Sequence, residues 1–84
     1  MNIIGVDEEI GSWETVKVYS EFEDVNPMTV KMLSRDFKYI YTFIKKRKSV
    51  LATEIFTRFP KMEVEQILMD LRGMHLVFFA REVK

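Results

Sequence analysis

The chain contains no cysteine. That excludes a disulfide framework, a thiolate zinc site and a cysteine nucleophile together. It also fits a reducing compartment, so a cytoplasmic, intracellular location is expected. Glycine is scarce, at three residues, and none builds a phosphate-cradling loop. The single histidine, His75, has no second histidine with which to share a metal. No apolar run approaches the roughly 18–20 residues that a membrane span requires. Residues 1–9 carry no basic region before an apolar run, so no signal peptide is expected. No nucleophile motif and no metal-ligand spacing occurs. The expectation is a binding protein and not an enzyme, with no catalytic residue, no metal, no cofactor and no membrane contact.

Length sets a further bound. The 84 residues make one domain. A domain of this size buries only about 60–65% of its unfolded surface, so its core is thin. A hydrophobic fraction of 48% is nevertheless ordinary for a globular chain.

Net charge is zero, but the charges are segregated. Residues 1–24 hold seven acids against Lys17, and residues 25–61 hold nine bases against Asp36 and Glu54. Folding decides whether these parts neutralise each other or leave a basic face.

The pattern along the chain is α+β, in the order β-β-α-α-α-β. Residues 1–24 resemble an acidic β-hairpin. Ile3, Ile4 and Val6 form one strand and Asp7 to Gly11 a turn. The second strand, Trp13 to Phe22, sets Val16, Val18 and Phe22 against Trp13 and Tyr19. Three helices follow over 26–73. Asn26-Pro27 pairs a good N-cap with a residue suited to the first helical position. The first helix then runs to about Lys46 on a stripe of Val30, Leu33, Phe37, Ile40, Tyr41 and Ile44. Ser49 caps a second helix, Val50 to Phe59, stopped by Pro60. A third, from Lys61 or Met62 to Arg72, buries Val64, Ile67, Leu68 and Leu71, with Gly73 as a left-handed cap. Residues 75–83 read as a last strand. Together the elements predict a three-helix core with a small antiparallel sheet made by the N-terminal hairpin and the C-terminal strand.

The second half of this pattern resembles the winged helix-turn-helix superfamily. The residues that carry the likeness are Lys45-Lys46-Arg47-Lys48 ending one helix and Leu51-Ala52-Thr53-Glu54-Ile55 in the next. The Phe59-Pro60-Lys61 turn and the run Ile67-Leu68-Met69-Asp70-Leu71-Arg72-Gly73 follow, with a strand after them. The resemblance implies a small DNA-binding protein, a transcriptional regulator and a homodimer, with double-stranded DNA as partner. Two departures stand beside it. The family's wing is a hairpin, whereas only one strand follows the third helix here; the strand around Trp13–Phe22 is the candidate replacement. The outward face of the third helix, Met62, Gln66 and Met69, is flanked by Glu63, Glu65 and Asp70, which repel phosphate.

Two sets of candidate residues follow. Lys45, Lys46, Arg47 and Lys48 suit phosphate contact, helped by Arg58 and Lys61, with Gln66 as the base-reading residue. Lys31, Arg35, Lys38, Thr42, Lys45 and Lys46 extend this as a basic stripe along the first helix. The dull alternative is a solvated face, with cations favoured at a helix C-terminus by its dipole. The second set is apolar. Met32, Tyr39 and Phe43 form a stripe away from the core stripe, and Met62 and Met69 lie on the third helix. The Met32, Tyr39 and Phe43 stripe suits a protein partner or dimer surface, stacking on bases, or cover by Trp13, Tyr19 or Phe22, whereas Met62 and Met69 suit a protein partner or are ordinary surface methionines. A protein–protein interaction module without direct DNA binding is therefore the second functional expectation.

Overall fold

The computed structural model describes residues 2–3, 12–20 and 26–81. The turn expected at Asp7–Gly11, the strand residues Ile4, Val6, Glu21 and Phe22, and the strand end beyond Arg81 lie outside the described residues. So do all the acids of residues 1–24 except Glu14.

The fold is α+β. Its strands are β1 (Asn2–Ile3), β2 (Val16–Tyr19), β3 (Ser49–Leu51) and β4 (Phe78–Arg81). Its helices are α1 (Pro27–Lys31), α2 (Arg35–Arg47), α3 (Ala52–Arg58) and α4 (Val64–Gly73). The sheet is antiparallel with strand order β1-β4-β2-β3.

Local chemistry explains most of these elements. The Asn26 side chain accepts the Met28 N–H at 2.9 Å and Pro27 opens α1. α2 has Asp36 in its first turn and Lys45, Lys46 and Arg47 in its last, each favoured there by the helix dipole. The stripe positions are buried as their spacing requires: Ile40, Tyr41 and Ile44 from α2, Val64, Ile67, Leu68 and Leu71 from α4. Alternation on β2 sends Val16 and Val18 fully inward, where Val18 faces Phe79 and Val50 across the sheet. Trp13 closes the core edge-on against Phe56 and Phe79, with ring centres 5.6 and 5.4 Å away.

Four expectations are corrected. The first helix is two helices. Leu33 stays buried, but Ser34 is extended (ψ 164°) and its carbonyl accepts the first α2 bond from Lys38. Because Val30 and Leu33 still pack on the core, the apolar periodicity runs through the break. Ser49 does not cap a helix. Residues 49–51 form β3 against β2, and the next helix starts at Ala52. The N-terminal strands are not a hairpin, because β4 lies between β1 and β2 and pairs with both. Finally, Gly73 closes α4 in helical conformation, and the left-handed residue is His75, with φ 59°. The observed order is therefore β-β-α-α-β-α-α-β, with four helices among the described residues.

Candidate functional site

Helical geometry places Lys38, Thr42 and Lys46 in one row of α2 and Tyr39, Phe43 and Arg47 in the next, both at four-residue spacing. The end of α3 approaches these rows. Phe59, which follows α3, meets Phe43 edge to face, with ring centres 5.6 Å apart and planes at 86°. Between the helices lies an open groove of about 440 Å³. Tyr39, Phe43 and Phe59 supply its aromatic surface, and Lys38, Lys46 and Arg58 its charge. No carboxylate is among the described residues that line it.

The aromatic row is held by cations at both ends. Arg35 Nε donates to the Tyr39 hydroxyl oxygen at 3.3 Å, and its guanidinium carbon is 5.6 Å from the ring centre. That hydrogen bond holds the guanidinium above its ordinary pKa. At the other end, the Arg47 guanidinium lies 4.6 Å from the centre of Phe43 and pairs with Glu54. Tyr39 remains 48% exposed, so much of this anchored ring faces solvent.

The two candidate sets of the sequence thus converge on one place. Lys46 and Arg58 from the basic set, and Tyr39 and Phe43 from the apolar set, line the same groove. The remaining residues divide. Lys45 is exposed, its ammonium 5.9 Å from the Tyr41 ring centre. Lys48 is exposed just past α2 and holds a positive φ of 65°, where its carbonyl accepts the Ser20 N–H at 3.0 Å. Lys61 is exposed in the turn before α4. Met32 is 81% exposed but belongs to the turn after α1, so it does not continue the α2 row. The same break interrupts the basic stripe between Lys31 and Arg35.

One sequence expectation fails here, and a second loses two of its three candidates. Met62 and Met69 are not outward surface residues; both are half-buried against the core. Among the described residues the exposed methionines are Met28, Met32 and Met74. Nor do Trp13 and Tyr19 cover the α2 aromatics. Trp13 packs on Phe56 and Phe79, and Tyr19 stacks on Phe78 at 5.0 Å. Phe22 lies outside the described residues.

The outer surface of α4 has a different character. Glu63 just before the helix, and Glu65, Gln66 and Asp70 within it, are exposed. The Gln66 amide donates to the Asp70 carboxylate at 2.9 Å. Arg72 is buried, its guanidinium 5.0 Å from the Phe79 ring centre. The sequence places Lys38 and Thr42 on the basic stripe only as an extension of the phosphate set, and Phe59 only at the end of a helix and the start of a turn. The missing information was the approach of α3 to α2, which is tertiary.

No family model matches this chain, and no curated protein or solved structure is detectably similar to it. Among the described residues no group of metal-ligating side chains could hold an ion, and no helix is long and apolar enough to cross a membrane.

Proposed function

We propose that this protein is a non-catalytic nucleic-acid-binding module of winged-helix type, which grips phosphate through α2 and the end of α3. The observation that carries the reading is the groove: three cations converge on it from two helices, with no described carboxylate among its lining residues. A polyanion gains from such a surface by releasing its counterions. Lys45, Lys48 and Lys61 extend the charge beyond the groove.

The order α2, β3, α3, turn, α4, β4 supports the winged-helix part of the reading. So does the sheet. β2 pairs with both β3 and β4, the place that a wing strand following β4 would otherwise take. Insertion of α4 into a DNA groove is the weaker variant. Glu63, Glu65 and Asp70 oppose phosphate there, and Gln66, the one residue suited to base reading, is engaged by Asp70. That same acidic face favours the second reading, a protein-binding module whose partner is basic.

The test is fluorescence anisotropy with labelled DNA at ~50 and ~200 mM salt. Micromolar binding that weakens steeply with salt, and is lost when Lys38, Lys46 and Arg58 are all changed to glutamate, supports the proposal. Absence of binding to any DNA at the lower salt would overturn it and leave the protein-binding reading.

A further inference from the structure

We infer that the groove between α2 and α3 takes unpaired bases, so that the preferred ligand is single-stranded nucleic acid and not a duplex. The inference rests on the nucleic-acid reading above and adds to it the strand state.

Charge alone does not distinguish strands, because both forms present phosphates. The aromatic surface does. Duplex bases are stacked on each other and offer only their edges to a protein, whereas a single strand offers base faces. A phosphate-only site needs no aromatic side chains, yet this one presents Tyr39, Phe43 and Phe59 between its cations. Tyr39 is the most available of them. It is 48% exposed, anchored at its hydroxyl by Arg35, and one residue from Lys38. The two rows of α2 therefore set a ring and a cation side by side at Lys38 and Tyr39, with Lys46 two turns further on beside Phe43, whose ring already meets Arg47 and Phe59. Eight residues of helix separate Lys38 from Lys46, about 12 Å along the axis. That length suits a short strand with a base on the rings and flanking phosphates on the lysines. Arg58 faces the same space from α3.

An acidic peptide shares the charge complementarity but has no planar groups to place on the rings, unless its own aromatics supply them. Nucleic acid meets both halves of the site with one repeating unit, and it is the occupant proposed here.

The experiment compares four labelled probes on the full chain by anisotropy at ~50 mM salt. They are a ~10-nucleotide mixed-sequence single strand, the duplex of that sequence, an abasic strand of the same length, and a polyglutamate–tyrosine peptide. The expected result is single-strand binding about tenfold tighter than to the abasic strand, as one stacked base implies, and tighter than to the duplex. Tyr39→Ala should remove most of that tenfold margin between the single strand and the abasic strand, and Tyr39→Phe should keep it. Tyr39 lies on the surface, so the variants are expected to fold, and a thermal melt of each one checks it. Equal binding of the single and abasic strands, or equal loss with both in Tyr39→Ala, overturns the base-stacking inference and leaves the phosphate reading intact. Tighter binding of the peptide than of every nucleic acid overturns the inference in favour of a protein occupant. No binding of any polyanion overturns both readings together.

Discussion

Phe43 of α2 and Phe59 at the end of α3 meet edge to face, with ring centres 5.6 Å apart. This contact, together with the Arg47–Glu54 pair, joins the helix that carries Lys38 and Lys46 to the helix that carries Arg58. Edge-to-face aromatic pairs add about 0.5–1.5 kcal/mol beyond their buried area. Phe59→Leu should therefore lower stability by about 1–2 kcal/mol in urea denaturation, and it should weaken polyanion binding, because Arg58 loses its fixed approach to α2. A variant with unchanged stability would show that the pair does not brace the two helices.

Glu54 competes with any external anion for Arg47. Both side chains are about half exposed, 52% and 50%, so the pair contributes under about 1 kcal/mol to stability. Glu54→Gln should leave the melting temperature almost unchanged while raising polyanion affinity about two- to threefold at low salt, since it frees one cation and removes one repelling charge. Weaker binding in this variant would place the ligand away from the C-terminal end of α2.

Burial pushes the Tyr41 phenol above its ordinary value of 10.0. The neutral form is the one the core accepts, so the folded state holds its proton more tightly than the unfolded state does. This contribution is fully present below pH about 10 and is lost as the pH rises through the folded-state value. Denaturation at pH ~8 and pH ~11 should show the parent chain losing more stability than Tyr41→Phe over that interval. Equal losses would mean that the Tyr41 hydroxyl reaches solvent.

Lys48 holds φ at 65° and ψ at −39° between α2 and β3, a conformation that costs a side chain about 1–2 kcal/mol. Lys48→Gly should raise stability by up to about 1 kcal/mol by relieving this strain. If Lys48 adds charge to the phosphate surface, the same variant should bind polyanion less well. A more stable protein with weaker binding is the expected pair of results, and thermal melts with anisotropy titrations measure both.

The helices that bury a regular stripe could be read from the sequence. Ile40, Tyr41 and Ile44, like Val64, Ile67, Leu68 and Leu71, are determined by local spacing and by the need to leave water, and all are buried. What could not be read depends on distant partners. Ser49–Leu51 is too short to signal a strand, and it becomes one because Lys17 to Tyr19 lies alongside. The N-terminal strands resemble a hairpin in sequence, yet Phe78–Arg81 enters between them, a long-range pairing that local turn chemistry does not report. The groove was half legible. The second stripe on α2 was evident in Tyr39 and Phe43, and the basic residues beside it in Lys38 and Lys46. The element that completes it, the approach of Arg58 and Phe59, follows from how α3 turns after β3.

The measurement that tests the account most directly is a two-dimensional amide NMR titration of the full chain with a short single-stranded oligonucleotide at low salt. Shifts concentrated on Lys38, Tyr39, Thr42, Phe43, Lys46, Arg58 and Phe59 are the predicted result. Shifts concentrated instead on Glu65, Gln66 and Asp70 of α4 would contradict it, because the ligand would then lie on the face where carboxylates repel phosphate.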